Sequence, residues 1–289
     1  MLSAAASFSC LASRVIRSGQ IAHVFNTLCS DRTEIIEPSS CASSDSAIWA
    51  RGGAVVIPGS HRLLVATGNA PFNGRTDWGD SVLMLAPDAS SLLQSYTPAN
   101  HEELNDTDGD LGSTVPGLLP LPGGGKPRYR YGVMGGKDSK VRLLDLSRLN
   151  GRDATASPQT GGEVQVLQQQ LIFTTPAVWR TGRRVLVLMA DGGGTAAYEF
   201  RGRQPRLHQI WGNGRAGSSP VLAGGLLYVY DISNGGLNVY RPSSGKKVGT
   251  LSAGPGHWNS PIVVDGRIAL GEGDANNHSK KGVFDIWSR

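Results

Sequence analysis

The sequence predicts an all-β fold: a β-propeller of four-stranded antiparallel blades, with about five blades present as a partial or a small closed ring. Three observations predict it. Apolar runs of strand length alternate with Gly, Asn and Asp turns along most of the chain. Glycine supplies 39 of 289 residues, about twice the usual ~7% share, and it sits between apolar runs rather than in one tract. A small residue, a proline and an apolar run recur at Thr175-Pro176, Ser219-Pro220 and Ser260-Pro261, with the prolines 44 and 41 residues apart. That is the period of a propeller blade, about 40 to 50 residues. A single blade cannot bury its own faces, so several must stack.

In chain order, the first expected strand is Gly19 to Phe25, which reads as the fourth strand of a blade without its first three. Two accounts compete for it. Either it completes the last blade and closes a small ring, or the chain is the C-terminal portion of a larger propeller. Residues 1–18 are then a poorly ordered segment or the remnant of a missing blade, and 19–289 form the propeller. Its units lie near 19–46, 47–104, 105–173, 174–216, 217–256 and 257–289. The first 30 residues carry no acidic side chain. That hints at a targeting segment, yet Arg14 and Arg17 follow the apolar stretch where a secretory signal would place charge before it.

The remaining units follow one recipe. One unit opens near Trp49 and the next at Ser113-Thr114-Val115-Pro116, 60 residues before Pro176 because of a polar insert around Asn150 to Gln169. Gly turns such as Ala223-Gly224-Gly225 and Asp265-Gly266 form hairpins to the second strands. Third strands are expected at Ala196 to Tyr198, Leu237 to Tyr240 and Val283 to Ile286, and the last unit stops at Trp287 after three strands.

Composition narrows the function classes. Charged residues are 18% of the chain, and no apolar run approaches the ~18 residues that cross a bilayer, so no transmembrane segment is expected. The net charge of +5 is modest. Lys126, Arg128 and Arg130 interleave with Tyr129 and Tyr131, and further basic groups stand at Arg180, Arg183 and Arg184 and at Arg201, Arg203 and Arg206. Solvated turn tips account for them, and no nucleic-acid partner is expected. Cys10, Cys29 and Cys41 contain no Cys-x-x-Cys pair, which argues against zinc and against haem attachment. Cys29 and Cys41 are either a short-loop disulfide or free thiols.

The most informative stretch runs from Trp49 to Asp145. It contains Ile48-Trp49, then Leu63 to Asn69 ending in Thr-Gly-Asn, then Gly79-Asp80-Ser81, Ser95-Tyr96-Thr97-Pro98, Asn105-Asp106-Thr107-Asp108 and Gly136-Lys137-Asp138. This ordered series resembles the quinoprotein alcohol dehydrogenase-like propellers, built from repeats named after pyrroloquinoline quinone (PQQ). The resemblance covers Trp49 to Asp145 closely and the later blades only as repeats.

That resemblance implies a cofactor site. Trp49 stands where a tryptophan lies under the PQQ ring, and Lys137 where a lysine contacts the quinone. Asn69 stands where an asparagine binds Ca²⁺, and Asp106 where the catalytic base is expected, with Asp108 beside it as a further metal candidate. Ca²⁺ would polarise a quinone carbonyl while a carboxylate took the substrate's proton. The chain departs from the family pattern in three ways. It lacks the adjacent cysteine pair and the early-blade Glu ligand, and Asn105 replaces the tryptophan of the Trp-Asp-x-Asp pattern. Family resemblance implies a periplasmic or extracellular location.

Ordinary accounts stand beside each candidate. Trp49 can fill space between blades, Asn69 can be a turn residue, Lys137 a hairpin tip, and Asp106, Asp108 and Asp110 a solvated turn. His257, Trp258, Asn259, Glu272 and Asp274 are candidates for one mouth of an axial channel, with wedging between blades as the plainer role for Trp258. The sequence therefore supports a binding or scaffold propeller without independent turnover, recognising a protein or small-molecule ligand at its face. The alternative is a PQQ- and Ca²⁺-dependent oxidoreductase acting on an alcohol or sugar.

Overall fold

A computed structural model describes residues 10–14, 18–43, 45–123, 125–150, 160–170, 172–273 and 282–288. The chain divides into two compact units, one of residues 1–118 and 129–167, the other of 119–128 and 168–289.

The first unit begins with β1 (Cys10–Arg14) and β2 (Ile21–Asn26), an antiparallel pair registered from Cys10↔Asn26 to Arg14↔Ile21. Residues 10–14, within the segment set apart from the propeller, are strand. The expected first strand takes its partner from upstream, across a turn that includes left-handed Gly19. A four-stranded sheet follows in simple sequence order: β3 (Val55–Val56), β4 (Leu63–Ala66), β5 (Val82–Leu85) and β6 (Leu92–Tyr96). All eight residues of β4 and β5 are buried, which is why they read as continuous apolar runs rather than alternating ones. Leu64, Ala66, Val82 and Met84 face a core shared with Met134 and Leu144, while Leu63, Val65, Leu83 and Leu85 face Phe25 and Trp78.

After β6 comes a six-residue helix, α1 (His101–Asp106), and a single 3₁₀ turn at Leu111–Ser113. The next sheet comprises β7 (Gly117–Pro120), β8 (Tyr129–Met134), β9 (Lys140–Asp145) and β10 (Gln165–Gln168). Its first strand starts directly after Pro116, as the repeat predicts. Cys29 and Cys41 are joined by a disulfide, and Cys10 is free.

In the second unit the repeat is regular. One sheet is β11 (Ala177–Thr181), β12 (Arg184–Ala190), β13 (Thr195–Arg201) and β14 (Arg206–Asn213). The next is β15 (Val221–Ala223), β16 (Leu226–Tyr230), β17 (Leu237–Tyr240) and β18 (Lys247–Leu251). The last has three strands, β19 (Ile262–Val264), β20 (Arg267–Gly271) and β21 (Phe284–Ser288). Pro176, Pro220 and Pro261 each immediately precede an edge strand. Proline suits that place because it donates no hydrogen bond to the ladder.

Successive sheets share cores. Leu186, Leu188 and Ala197 pack with Leu227, Val229 and Tyr240, and Tyr230 and Leu237 pack with Leu270. Three sheets also share a defect. Between third and fourth strands the register slips at Met84/Leu85, Ala197/Tyr198 and Val239/Tyr240. In each case the extra residue (Leu93, Ile210 or Val248) lies on the outer strand, a β-bulge that sharpens local twist.

Candidate functional site

The loops after β4, after α1 and after β8 converge within the first unit. Asp110 follows α1, is nearly fully buried, and accepts the Asn69 backbone N–H through Oδ1 at 2.7 Å. Its other carboxylate oxygen pairs with Lys137 Nζ, and the exposed Asp108 carboxylate takes the same ammonium at 3.0 Å. Lys137 Nζ also stands 5.5 Å from the centroid of the Trp49 ring, on its face, within reach of a cation–π attraction. Trp49 is 41% exposed. Burial alone would lower the Lys137 ammonium's pKa, but hydrogen bonds with Asp110 and Asp108 outweigh it and hold it above the usual lysine range.

Glycine makes this convergence possible. A Cβ on Gly68 would stand 2.6 Å from Asp110 Oδ1 and 3.1 Å from Trp49 Nε1, and one on Gly112 would meet the Thr67 carbonyl carbon at 2.4 Å. Asp80 and Asp108 both occupy the left-handed region, with φ of 45° and 55°, which is uncommon for residues with a side chain.

Beneath this layer lies a second group. Asp80 is fully buried; its backbone N–H donates to Gly68 O at 2.9 Å, and its Oδ1 accepts the Leu111 N–H at 2.9 Å. Its Oδ2 is buried without a partner. Burial, followed by the nearby Asp110 and Asp138 charges, pushes the Asp80 carboxyl up to about 7, against the lowering effect of the Leu111 N–H and Arg142. Arg142, 1% exposed, donates Nη1 to Asp138 Oδ1 at 2.9 Å and pairs through Nη2 with Oδ2 of the same carboxylate. Glu163 Oε1 lies 3.9 Å from its Nε and accepts the Tyr96 hydroxyl.

Trp49, Lys137, Asp108 and the Asn69 backbone are thus brought together. Asp106 is exposed as the last residue of α1, and the carboxylates on Lys137 are Asp108 and Asp110 instead. The expected turn at Asn105-Asp106 is helix because His101 to Asp106 follow Pro98 and bury Leu104. Asp110, expected in a solvated turn with Asp106 and Asp108, is instead buried, and Asp80 of the Gly79-Asp80-Ser81 motif is fully buried. Arg142, alone inside the apolar run Val141 to Leu144, demands a buried counter-charge, and that charge is Asp138.

The donors do not make a Ca²⁺ site as arranged. Asp108 already neutralises an ammonium, and among the described residues no group of three or more His, Cys, Asp or Glu is placed to hold a metal ion. Lys137 also stands over the indole face where a flat quinone would stack.

In the second unit, Trp258 packs against Phe173 with centroids 4.8 Å apart and lies edge-on to His257. Asn259 donates Nδ2 to Gly271 O at 2.7 Å, and Glu272 Oε1 accepts the Gly254 N–H at 2.6 Å. A hydrogen bond with Asp285, then burial, raises the Glu272 carboxyl's pKa. Asp274 lies outside the described residues. A cavity of about 480 Å³ in this unit is lined by Gln170, Asp191, Thr195, Gln209 and Asn213 among others. Asp191 is committed there to the N–H groups of Gly193 and Gly194.

Solved structures decide the fold class. The chain is similar to the Cps50 (Swd1) β-propeller domain of Myceliophteria thermophila, with a TM-score of 0.55 at 10% identity over 92% of this chain and 74% of that one. It is also similar to the dihydro-heme d1 dehydrogenase NirN in complex with DHE, with a TM-score of 0.53 at 9% identity over 96% of this chain and 52% of that one. The fold is a β-propeller. At such identities the likeness shows the fold alone, and the chain spans about half the length of the second structure. No protein-family model matches the sequence, and no curated protein does. Among the described residues of this propeller, no helix is long and apolar enough to cross a membrane.

Proposed function

We propose that the chain is a PQQ-type repeat propeller that binds a partner without turnover of its own, presenting Trp49, Lys137 and Asp108 as its contact centre. The observation that carries this reading is the closed set formed by Lys137, Asp108 and Asp110 over Trp49. The cation meant for a cofactor is neutralised by the chain's own carboxylates, while the half-open indole remains able to be covered by a ligand. Partly exposed Trp residues with a charged rim are typical anchors of recognition surfaces. The Cys29–Cys41 disulfide supports a periplasmic or extracellular location, where such bonds persist.

The test is a titration of the purified protein with PQQ and Ca²⁺, followed by Trp fluorescence. No binding at micromolar cofactor is expected. Micromolar binding that disappears in Asn69→Ala and Asp106→Ala would overturn the reading in favour of an alcohol or sugar oxidoreductase. A photo-crosslinker at position 49, but not one at Arg62, is expected to capture the partner in the protein's native cells.

A further inference from the structure

Three basic clusters that are separate in sequence meet at one end of the β11–β14 sheet. The β11–β12 ladder ends with Thr181 opposite Arg184, and the β13–β14 ladder ends with Arg201 opposite Arg206. Glu199, on β13 beside these turns, pairs with Arg184 at 2.6 Å and lies 3.9 Å from Arg201, so both hairpins turn at the same end. Arg183 stands on the first tip and Arg203 on the second.

Residues 121–123 and 125–128, between β7 and β8, lie against them. Arg180 donates to Gly125 O at 3.0 Å and also to Gly123 O. Gly202, on the second tip, lies so close to Pro122 that a Cβ would fall 2.7 Å from its Cδ. Lys126 and Arg128 are thereby carried to the same end, and like the arginines of both tips they are exposed.

The charge is one-sided. Between residues 177 and 213 the sequence has six arginines and two acids. One acid, Asp191, follows β12 at the far end of the sheet. Glu199 alone cannot neutralise the tips.

We infer that this end of the sheet docks on an anionic phospholipid surface. Its cations sit on exposed turn tips, carried by Gly182, Gly202 and a proline-bearing loop. Neighbouring strands are ~4.8 Å apart, so the tips address several headgroups at once. Guanidinium forks match phosphate oxygens. The aromatic side chains of this sheet are not exposed, so there is no open platform on which nucleic-acid bases would stack. Among the described residues of the two tips and the loop no large hydrophobic side chain is exposed, so attachment is electrostatic and reversible by salt.

Cosedimentation of the full chain with phosphatidylcholine vesicles, with and without phosphatidylglycerol, tests this. Binding is expected only with phosphatidylglycerol, and it should be released by high salt. Each neutralised tip cation should weaken partitioning about fivefold. R183Q/R184Q and R201Q/R203Q/R206Q should each weaken it, and together they should reduce it to the level of neutral vesicles. K126Q/R128Q should weaken it through a separate loop, and Arg267→Gln on another sheet should leave it unchanged. Far-ultraviolet circular dichroism checks that each variant is folded. Equal binding to both vesicle types, or undiminished binding by the folded tip variants, would overturn the proposal. So would capture of heparin or poly(dT) without binding to phosphatidylglycerol vesicles, which would make the partner a linear polyanion.

Discussion

The region from Trp49 to Arg142 and the sheets from Ala177 onward use similar strands but different turns. In the later sheets the hairpin glycines Gly182, Gly224, Gly225 and Gly266 have positive φ and open space where a side chain would stand. In the earlier region Gly68, Gly79, Gly112 and Gly136 are pressed against other groups, among them Asp110, Ala70, Thr67 and Asp138. One glycine excess thus has two causes. At the hairpin tips Gly182, Gly224, Gly225 and Gly266 it answers a conformational need; at Gly68, Gly79, Gly112 and Gly136 it clears room for closely packed loops.

The sharpest break of that contrast is Gly79→Ala. A Cβ there would lie 1.9 Å from the Ala70 carbonyl oxygen, so a loss of more than about 4 kcal/mol is expected in urea unfolding. A loss below ~1 kcal/mol would show that these loops yield easily and that the two regions do not differ. Next, Arg142→Met should cost about 3–5 kcal/mol, because it takes the Arg142 fork from the Asp138 carboxylate and leaves it Lys140 at 3.7 Å. Chemical denaturation of the single variant, beside the double variant Arg142→Met with Asp138→Leu, separates the pair's net worth from that penalty.

Asp80 gives the region a pH signature. An unfolded Asp titrates near ~3.9, whereas burial holds the folded group at about 7. Between those values the folded state binds a proton that the unfolded state lacks. Stability should therefore fall as pH rises from about 4 to about 7, by up to about 4 kcal/mol, and stay lost above that. Asp80→Asn keeps an acceptor for the Leu111 N–H and should flatten this slope. It should also raise stability in mildly alkaline solution by about 1–3 kcal/mol. An unchanged slope in stability measured across pH would place the titration elsewhere. The smallest effect is expected in the regular region, where Gly224→Ala, at φ +56° in open space, should cost only about 1 kcal/mol in thermal unfolding.

The same contrast explains what could be read beforehand. Pro176, Pro220 and Pro261 marked strand starts because their constraints are local: the ring sets φ and the missing N–H selects a sheet edge. Trp49, Asn69 and Lys137 stand out through the order of short motifs, and the fold brings them near one another. Asp110 and Asp80 carried no comparable signal. Their burial follows from contacts 41 and 31 residues distant, to Asn69 and Leu111, and no window of sequence reports such distances. The short helix His101–Asp106 escaped notice for the opposite reason, since six residues show too little periodicity to stand out from a polar turn.

The bulges on the outer strands have a consequence for the protein in concentrated solution. An interrupted rim cannot align hydrogen-bonding groups with a second rim over any length, so the β6, β14 and β18 sides discourage filament growth. β21 pairs with β20 without a slip and carries exposed Phe284 and Ile286. If preparations gel or form fibres, growth should start there, and a lysine in place of Ile286 is the substitution that would keep them clear.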